Sequence, residues 1–166
     1  MELPTRGHDA VEILVNDHEF VKGLLEQLSN ALEKPRRKAL IEQLKAALIV
    51  HNATEENIVY PAIAKIGGKV LESQRLYHET AAADVLMFEL DTMLKEGDDA
   101  LFESKASMLR EAILEHIGVE EDSAFPHLRE KATPEQAKLL TESVREFRAA
   151  LEYRHAGSGV ARQQAG

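Results

Sequence analysis

Apolar residues recur along this chain in steps of three and four, the period of one helix face, and almost nowhere in the alternation that marks a strand. Val11, Leu14, Val15, His18, Val21, Leu25, Leu28 and Leu32 form one such stripe behind a capping box of Asp9 and Glu12, which predicts a first helix over about 9–33. Pro35 suits a first helical position. From there Leu40, Leu44, Leu48, His51, Glu55, Ile58 and Ala62 carry a second helix to Gly67 and Gly68, a natural stop. A third helix follows over about 70–95, ending at Gly97. Asp98 or Asp99 caps a fourth, whose stripe is Leu109, Ala112, Ile113, His116, Glu120, Ala124 and His127. Thr133-Pro134-Glu135-Gln136 opens a fifth helix over about 134–152, with Ala137, Leu140, Val144, Phe147 and Leu151 on one side. From His155 onward turn residues dominate, and a frayed tail is expected.

Four long helices with short connections predict an all-α fold, an antiparallel up-down-up-down four-helix bundle over about 9–130, with an additional C-terminal helix. A single domain is expected over 1–153, with a flexible tail at 154–166. The composition agrees: of 166 residues 44% are apolar and 30% charged, enough for a core but without the aromatic and β-branched surplus of a sheet protein.

Two of the stripes are interrupted in the same way. Residues 51–61 read HNATEENIVYP and residues 116–126 read HIGVEEDSAFP: His, three residues, Glu-Glu, three residues, an aromatic, Pro. Helical residues four apart share a face, so His51 points with Glu55 and His116 with Glu120. A buried, unpaired Glu is costly, so the core must hold something that compensates it. Counting from the predicted turns places His18 and His51 roughly 23 Å from the first turn at about 1.5 Å per residue. The same count brings Glu55, His78, His116 and Glu120 to that level. Four imidazoles and two carboxylates converging inside a bundle form a candidate site for two metal ions, with the carboxylates able to bridge. A lone His-x3-Glu pair is weak, and His8 with Glu12 reads as a chance example. Two copies in matching context, with a histidine on each of the other two helices, are a strong signal. Pro61 and Pro126 are expected to bend their helices just past the site, and His127 reads as structural.

Charge and residue choice narrow the chemistry. The formal charge is -9, a field that repels phosphate backbones and anionic lipid, so neither nucleic acid nor membrane is an expected partner. The basic cluster PRRK at 35–38 reads as a solvated face. Cysteine is absent, which removes disulfides and thiolate ligands together, leaving His, carboxylate or phenol to hold any metal. No signal pattern or membrane span stands out, and a cytoplasmic location is expected.

These residues carry a resemblance. Over about residues 9–130 the chain resembles the hemerythrin-like, or HHE cation-binding, domains, whose pattern is met by His18, His51 with Glu55, His78, and His116 with Glu120. The resemblance implies two iron ions in a non-heme, oxo- or hydroxo-bridged diiron centre. Two departures from the respiratory members stand out. The positions four residues either side of His78 are Gln74 and Ala82, where a further His would stand, and the last motif carries Glu120 and Glu121 where an Asp five residues after His is usual. One iron is therefore expected to keep an open position or a substitute ligand, such as Tyr77 or a solvent hydroxide, which argues against simple reversible oxygen carriage. Glu121 is a further candidate ligand; like Glu56, it otherwise reads as a supporting or solvated carboxylate. The spacing is unlike the Glu-x-x-His motifs of ferritin-like diiron proteins.

Three functions follow as expectations. The first is reaction with a small oxidant such as hydrogen peroxide, in the catalase- or peroxidase-like manner of some relatives, or with O2. The second is a non-enzymatic module that binds O2 or NO, or senses oxygen or iron through a partner protein. The third is a structural metal, such as zinc, in an otherwise inert bundle.

Overall fold

A computed structural model describes the backbone of residues 7–96 and 99–163 and the side chains of 7–95 and 101–151. Among these residues every regular element is helical: α1 (Ala10–Ser29), α2 (Lys34–Thr54), α3 (Tyr60–Lys65), α4 (Val70–Glu96), α5 (Asp99–Val119), α6 (Phe125–Lys131) and α7 (Pro134–Gln163). The expected stop at Gly97 and the cap at Asp98 lie outside the described residues.

Asp9 caps α1 as anticipated, its Oδ1 accepting the Glu12 N–H at 2.8 Å. The helix ends earlier than 33, because Asn30 and Ala31 close a turn onto Gln27 and Leu28 and the backbone is extended again at Glu33. Leu32, the last residue of the expected stripe, is accordingly exposed. At the other end α7 runs to Gln163, past the 134–152 that its stripe suggested. No proline after Pro134 interrupts it, and the stretch from His155 expected to fray is helical that far.

The second and fourth rods are not simple helices. α2 passes into α3 through a π-turn at Glu55–Val59, and α5 into α6 through another at Glu120–Ala124. In each, the closing N–H (Tyr60, Phe125) reaches back five residues, to the carbonyls of Glu55 and Glu120. Each π-turn ends two residues before a proline, Pro61 or Pro126. Proline lacks the N–H that would continue the ladder, and its ring crowds the carbonyl four residues back. A turn widened by one residue relieves that crowding. The expected bend is thus a widened turn, and it falls on the two glutamates.

α1 packs on α2 and α5, while α4 packs on α2, α3 and α5, so the four rods close a ring around one interior; α7 lies outside against α1 and α2. That interior has two apolar layers. One holds Val21, Leu25, Leu44, Met87, Leu90, Phe102 and Leu109. The other holds Ile13, Leu14, Val59, Ile63, Leu76, Phe125, Leu128 and Val144. The repeated motifs lie between them. No helix among the described residues is long and apolar enough to cross a membrane.

Candidate metal centre

α1 presents its interior face in steps of three and four, and Asp17 and His18 sit side by side on that face between Leu14 and Val21. α2 does the same with Leu44, Leu48 and His51, and the π-turn then delivers Glu55. From the other hairpin come His116 and, at the second π-turn, Glu120. His18, His51, Glu55 and Glu120 are all buried and offer ligand atoms within 4.8 Å of one another. His18 Nε2 lies 3.2 Å from Glu120 Oε2 and 3.8 Å from Glu55 Oε1, and His51 Nε2 lies 3.2 Å from the same Glu55 oxygen.

Three of these atoms, His18 Nε2, Glu55 Oε1 and Glu120 Oε2, are buried without a hydrogen-bond partner. Buried polar atoms are ordinarily satisfied. Three orphans facing one point are what a cation would satisfy, since N and O ligands held about 2.1 Å from one ion span about 4.2 Å. The residues present therefore fit a bound metal.

Behind the cluster the pattern repeats. His18 Nδ1 meets Glu121 Oε1 at 2.8 Å, His51 Nδ1 meets Asp17 Oδ2 at 3.2 Å, and His116 Nδ1 meets Glu79 Oε2 at 3.0 Å. A carboxylate on Nδ1 fixes the tautomer and aims Nε2 inward with its lone pair free, the arrangement found behind metal-bound histidines. Without a metal, protons take the cation's place. Burial works against a charged His18, yet the Glu120 and Glu55 carboxylates hold its pKa up at about 10. Burial likewise works against a charged His116, and Glu120, Glu55 and Glu79 hold it at about 9. His51 is raised against burial by Glu55 and Asp17. Glu55 is held well below the usual carboxylate range, because His51 and His18 outweigh its burial.

The two carboxylates each face two ways. Glu55 turns Oε1 toward His18 and His51, and Oε2 toward the Tyr60 hydroxyl at 3.0 Å. Glu120 turns Oε2 toward His18, and Oε1 toward Tyr60 at 3.0 Å and His116 Nε2 at 3.4 Å. Tyr60 also meets His116 Nε2 and Thr80 Oγ1, both at 3.1 Å. The two carboxylates therefore stand between two sets of groups, His18 and His51 on one side, His116 and the Tyr60 phenol on the other. Burial, then Glu55 and Glu120, push the phenol pKa up.

Tyr60 reaches the centre because of the π-turn. In an unbroken helix the five residues from Glu55 would turn through about 500° and leave it roughly 140° off that face. Its counterpart Phe125 instead stacks on the His18 ring at 5.8 Å between centroids.

His78 requires a correction. It is exposed and does not join the other five groups. The inward face of α4 runs Leu76, Thr80, Ala83, Met87 and Leu90, and His78 is about 200° around the helix from both Leu76 and Thr80. Counting residues from a turn set its height but not its direction. Tyr77 does not point into the centre either: its hydroxyl donates to the Glu56 carbonyl at 2.5 Å and its ring meets that of Tyr60 edge-on. The phenol at the site is Tyr60, not Tyr77. Glu121 backs His18 and accepts from Lys22 at 3.2 Å. Sequence reasoning passed over Tyr60, Asp17, Thr80 and Glu79. Asp17 was detectable, being three residues from Leu14 and four from Val21; Tyr60 stood in the repeat, and the proline after it was the sign of the turn that brings it in. His127 is structural, its Nε2 meeting the Gly67 carbonyl at 2.9 Å.

A cavity of about 20 Å³ abuts the centre, lined by His18, His51 and His116 and by Val21, Ile113 and Ile117 among its apolar walls. That volume matches one water-sized guest.

Two comparisons bear on what this centre is. A DNA nickase of Nostoc sp. is 20% identical over 161 residues, which cover 94% of this chain and 45% of that protein, so the chain spans less than half of its relative's length. The family model for the hemerythrin HHE cation binding domain matches residues 9–128. That span includes every rod of the bundle and all the residues clustered above, and the chain belongs to the hemerythrin HHE cation-binding family.

Proposed function

We propose that this chain is a non-heme iron protein holding two iron ions, oxo- or hydroxo-bridged, and reacting with a small oxidant such as hydrogen peroxide, or with O2. The observation that carries this reading is the pair of two-faced carboxylates. Glu55 and Glu120 each spend one oxygen on the His18/His51 side and one on the His116/Tyr60 side, which suits two cations better than one. His18, His51 and His116 would be the nitrogen ligands, and the Tyr60 hydroxyl, beside His116, Glu55 and Glu120, would be a further oxygen donor. Bound iron would supply Lewis acidity and one-electron redox chemistry.

The protein's own contribution is orientation and exclusion. Glu121, Asp17 and Glu79 keep three imidazoles aimed inward. The small cavity, walled by Val21, Leu48, Ala83, Ile113 and Ile117, has room for a guest about the size of one water and so favours small ligands over bulky ones. Thr80 and Asn52 in its lining offer polar atoms to such a guest. Its apolar walls favour, as a second reading, a binding or sensing role for O2 or NO that acts through a partner protein. Iron content and the visible spectrum before and after peroxide test the first reading, together with oxygen evolution that is lost in His51→Ala. Turnover no greater than that of free iron would overturn it. A spectrum that cycles reversibly with O2 would favour the second. Zinc in place of iron, with no visible bands, would leave a structural metal.

We place the protein in the cytoplasm. DNA nicking belongs to a relative more than twice as long. The charge of -9 works against close approach to a phosphate backbone, so that activity is not proposed for this chain.

A further inference from the structure

The family match ends at residue 128 and α7 begins at Pro134, so the shared pattern gives α7 no part in the centre. The structure nevertheless runs a charged connection from one to the other. Arg148 of α7 is 1% exposed, one of the largest fully buried side chains. Its Nη1 donates to Asp17 Oδ1 at 3.2 Å, its Nη2 to Asp17 Oδ2, and its Nε to Thr54 Oγ1 at 3.3 Å. Asp17 is itself fully buried, and Oδ2 also takes the His51 Nδ1 contact. A line of contacts thus passes from α7 through Asp17 of α1 to His51 of α2 and on to Glu55.

The fork geometry matters here. Two guanidinium donors on two carboxylate oxygens hold the plane of the carboxylate, and that plane decides whether Oδ2 faces His51. The other two backing carboxylates, Glu79 and Glu121, are only partly buried and take surface partners, Arg75 and Lys22. Asp17 alone of the three is sealed in the core, and what seals and orients it comes from outside the four-helix ring.

We propose that Arg148 is a positioning residue of the metal centre, and that the seating of α7 and the occupancy of the centre by a cation are coupled. This rests on the reading of His51 as a ligand. With Arg148 in place, Asp17 accepts from His51 Nδ1–H and Nε2 stays free and inward. With α7 lifted, Asp17 loses its fork, His51 loses its orientation, and the cation is held less well. By reciprocity a bound cation holds α7 down.

The full chain, free of metal, is titrated with Fe(II) without oxygen, and with Zn(II) as a redox-silent probe, against a competing chelator. Arg148→Met and Asp17→Asn are each expected to weaken cation binding by about 10–100-fold, the usual cost of losing a group behind a metal ligand. The double variant is expected to be no worse than either single one, because both changes break the same line. Arg148→Lys keeps the charge without the fork and falls between. In the unaltered protein, amide exchange over residues 141–148 is expected to slow when Zn(II) binds. If Arg148→Met lowers the melting temperature equally with and without cation and leaves affinity unchanged, Arg148 only pins a helix and the proposal is overturned. Should that variant not fold, exchange in the unaltered protein decides, and an α7 indifferent to saturating Zn(II) overturns it. An unaltered protein that binds neither cation sinks this inference and the iron reading together. Tight binding that Arg148→Met does not disturb sinks this inference alone.

Discussion

At the scale of single residues, the centre is held by pairs of opposite demands. Each imidazole has one nitrogen on a carboxylate behind it and one turned to the interior, so what distinguishes a ligand here is direction more than residue type. His78 makes the point from the other side. It stands at the height the spacing predicts but faces solvent, and His78→Ala is expected to leave metal stoichiometry unchanged, while His18→Ala and His51→Ala each lose metal. Elemental analysis of the three variants checks this; metal loss in His78→Ala would show that the imidazole swings inward. Tyr60 is the second case. Tyr60→Phe leaves Glu55 Oε2, Glu120 Oε1 and Thr80 Oγ1 each short of a buried contact. The expected loss is about 1–3 kcal/mol in a urea melt of the metal-free protein, with an altered visible spectrum in the iron-loaded one. An unchanged spectrum would remove the phenol from the ligand set.

At the scale of elements, the π-turns decide the site. They sit on Glu55–Val59 and Glu120–Ala124, two residues short of Pro61 and Pro126. Each lets one glutamate and the aromatic five residues later share the interior. The connection from α3 to α4 then sets the rods against one another. Gly68 has φ +69°, the left-handed region, and the Lys69 N–H closes back onto the Ile63 carbonyl at 3.2 Å. Gly68→Ala has room for its Cβ but must hold that backbone, at a cost of about 1–2 kcal/mol. Equilibrium unfolding reads it, and a neutral result would mean that the turn re-forms in another geometry. Gly67 is needed for a different reason: a Cβ there would lie 2.6 Å from the Ile63 carbonyl oxygen.

At the scale of the whole molecule, a polar layer divides two apolar ones and makes stability depend on pH. His18 and His116 have folded pKa values of about 10 and about 9 against an ordinary 6.5. Their contribution is complete below about pH 6.5 and is lost as pH rises through 9 and 10. Glu55, held below 4.5, contributes above that value and loses its contribution as pH falls through its lowered pKa. The metal-free protein is therefore expected to be most stable between about pH 4.5 and 6.5, with a melting temperature that declines toward pH 10. Cation affinity runs the opposite way, rising with pH as bound metal displaces those protons. Calorimetry with and without Zn(II) across that range checks both trends, and a metal-free melting temperature that climbs toward pH 10 would contradict the protonated cluster.

The helical class, the order of the rods and most of the donor set can be read along the chain, because a 3.6-residue period leaves its mark on every residue of a buried face. His18, His51, Glu55, His116 and Glu120 were legible as polar residues breaking apolar stripes. Azimuth and reach come from packing instead. Which way α4 turns its histidine depends on how Leu76, Ala83, Met87 and Leu90 seat against neighbours distant in the chain. Whether a tyrosine five residues past a glutamate joins it depends on a turn one residue wider than α. That Arg148 meets Asp17 across 131 positions is visible only when α7 lies against α1. Local spacing records which face a residue occupies within its own helix, but the rotation of one helix against another comes from packing, and these last contacts are set there.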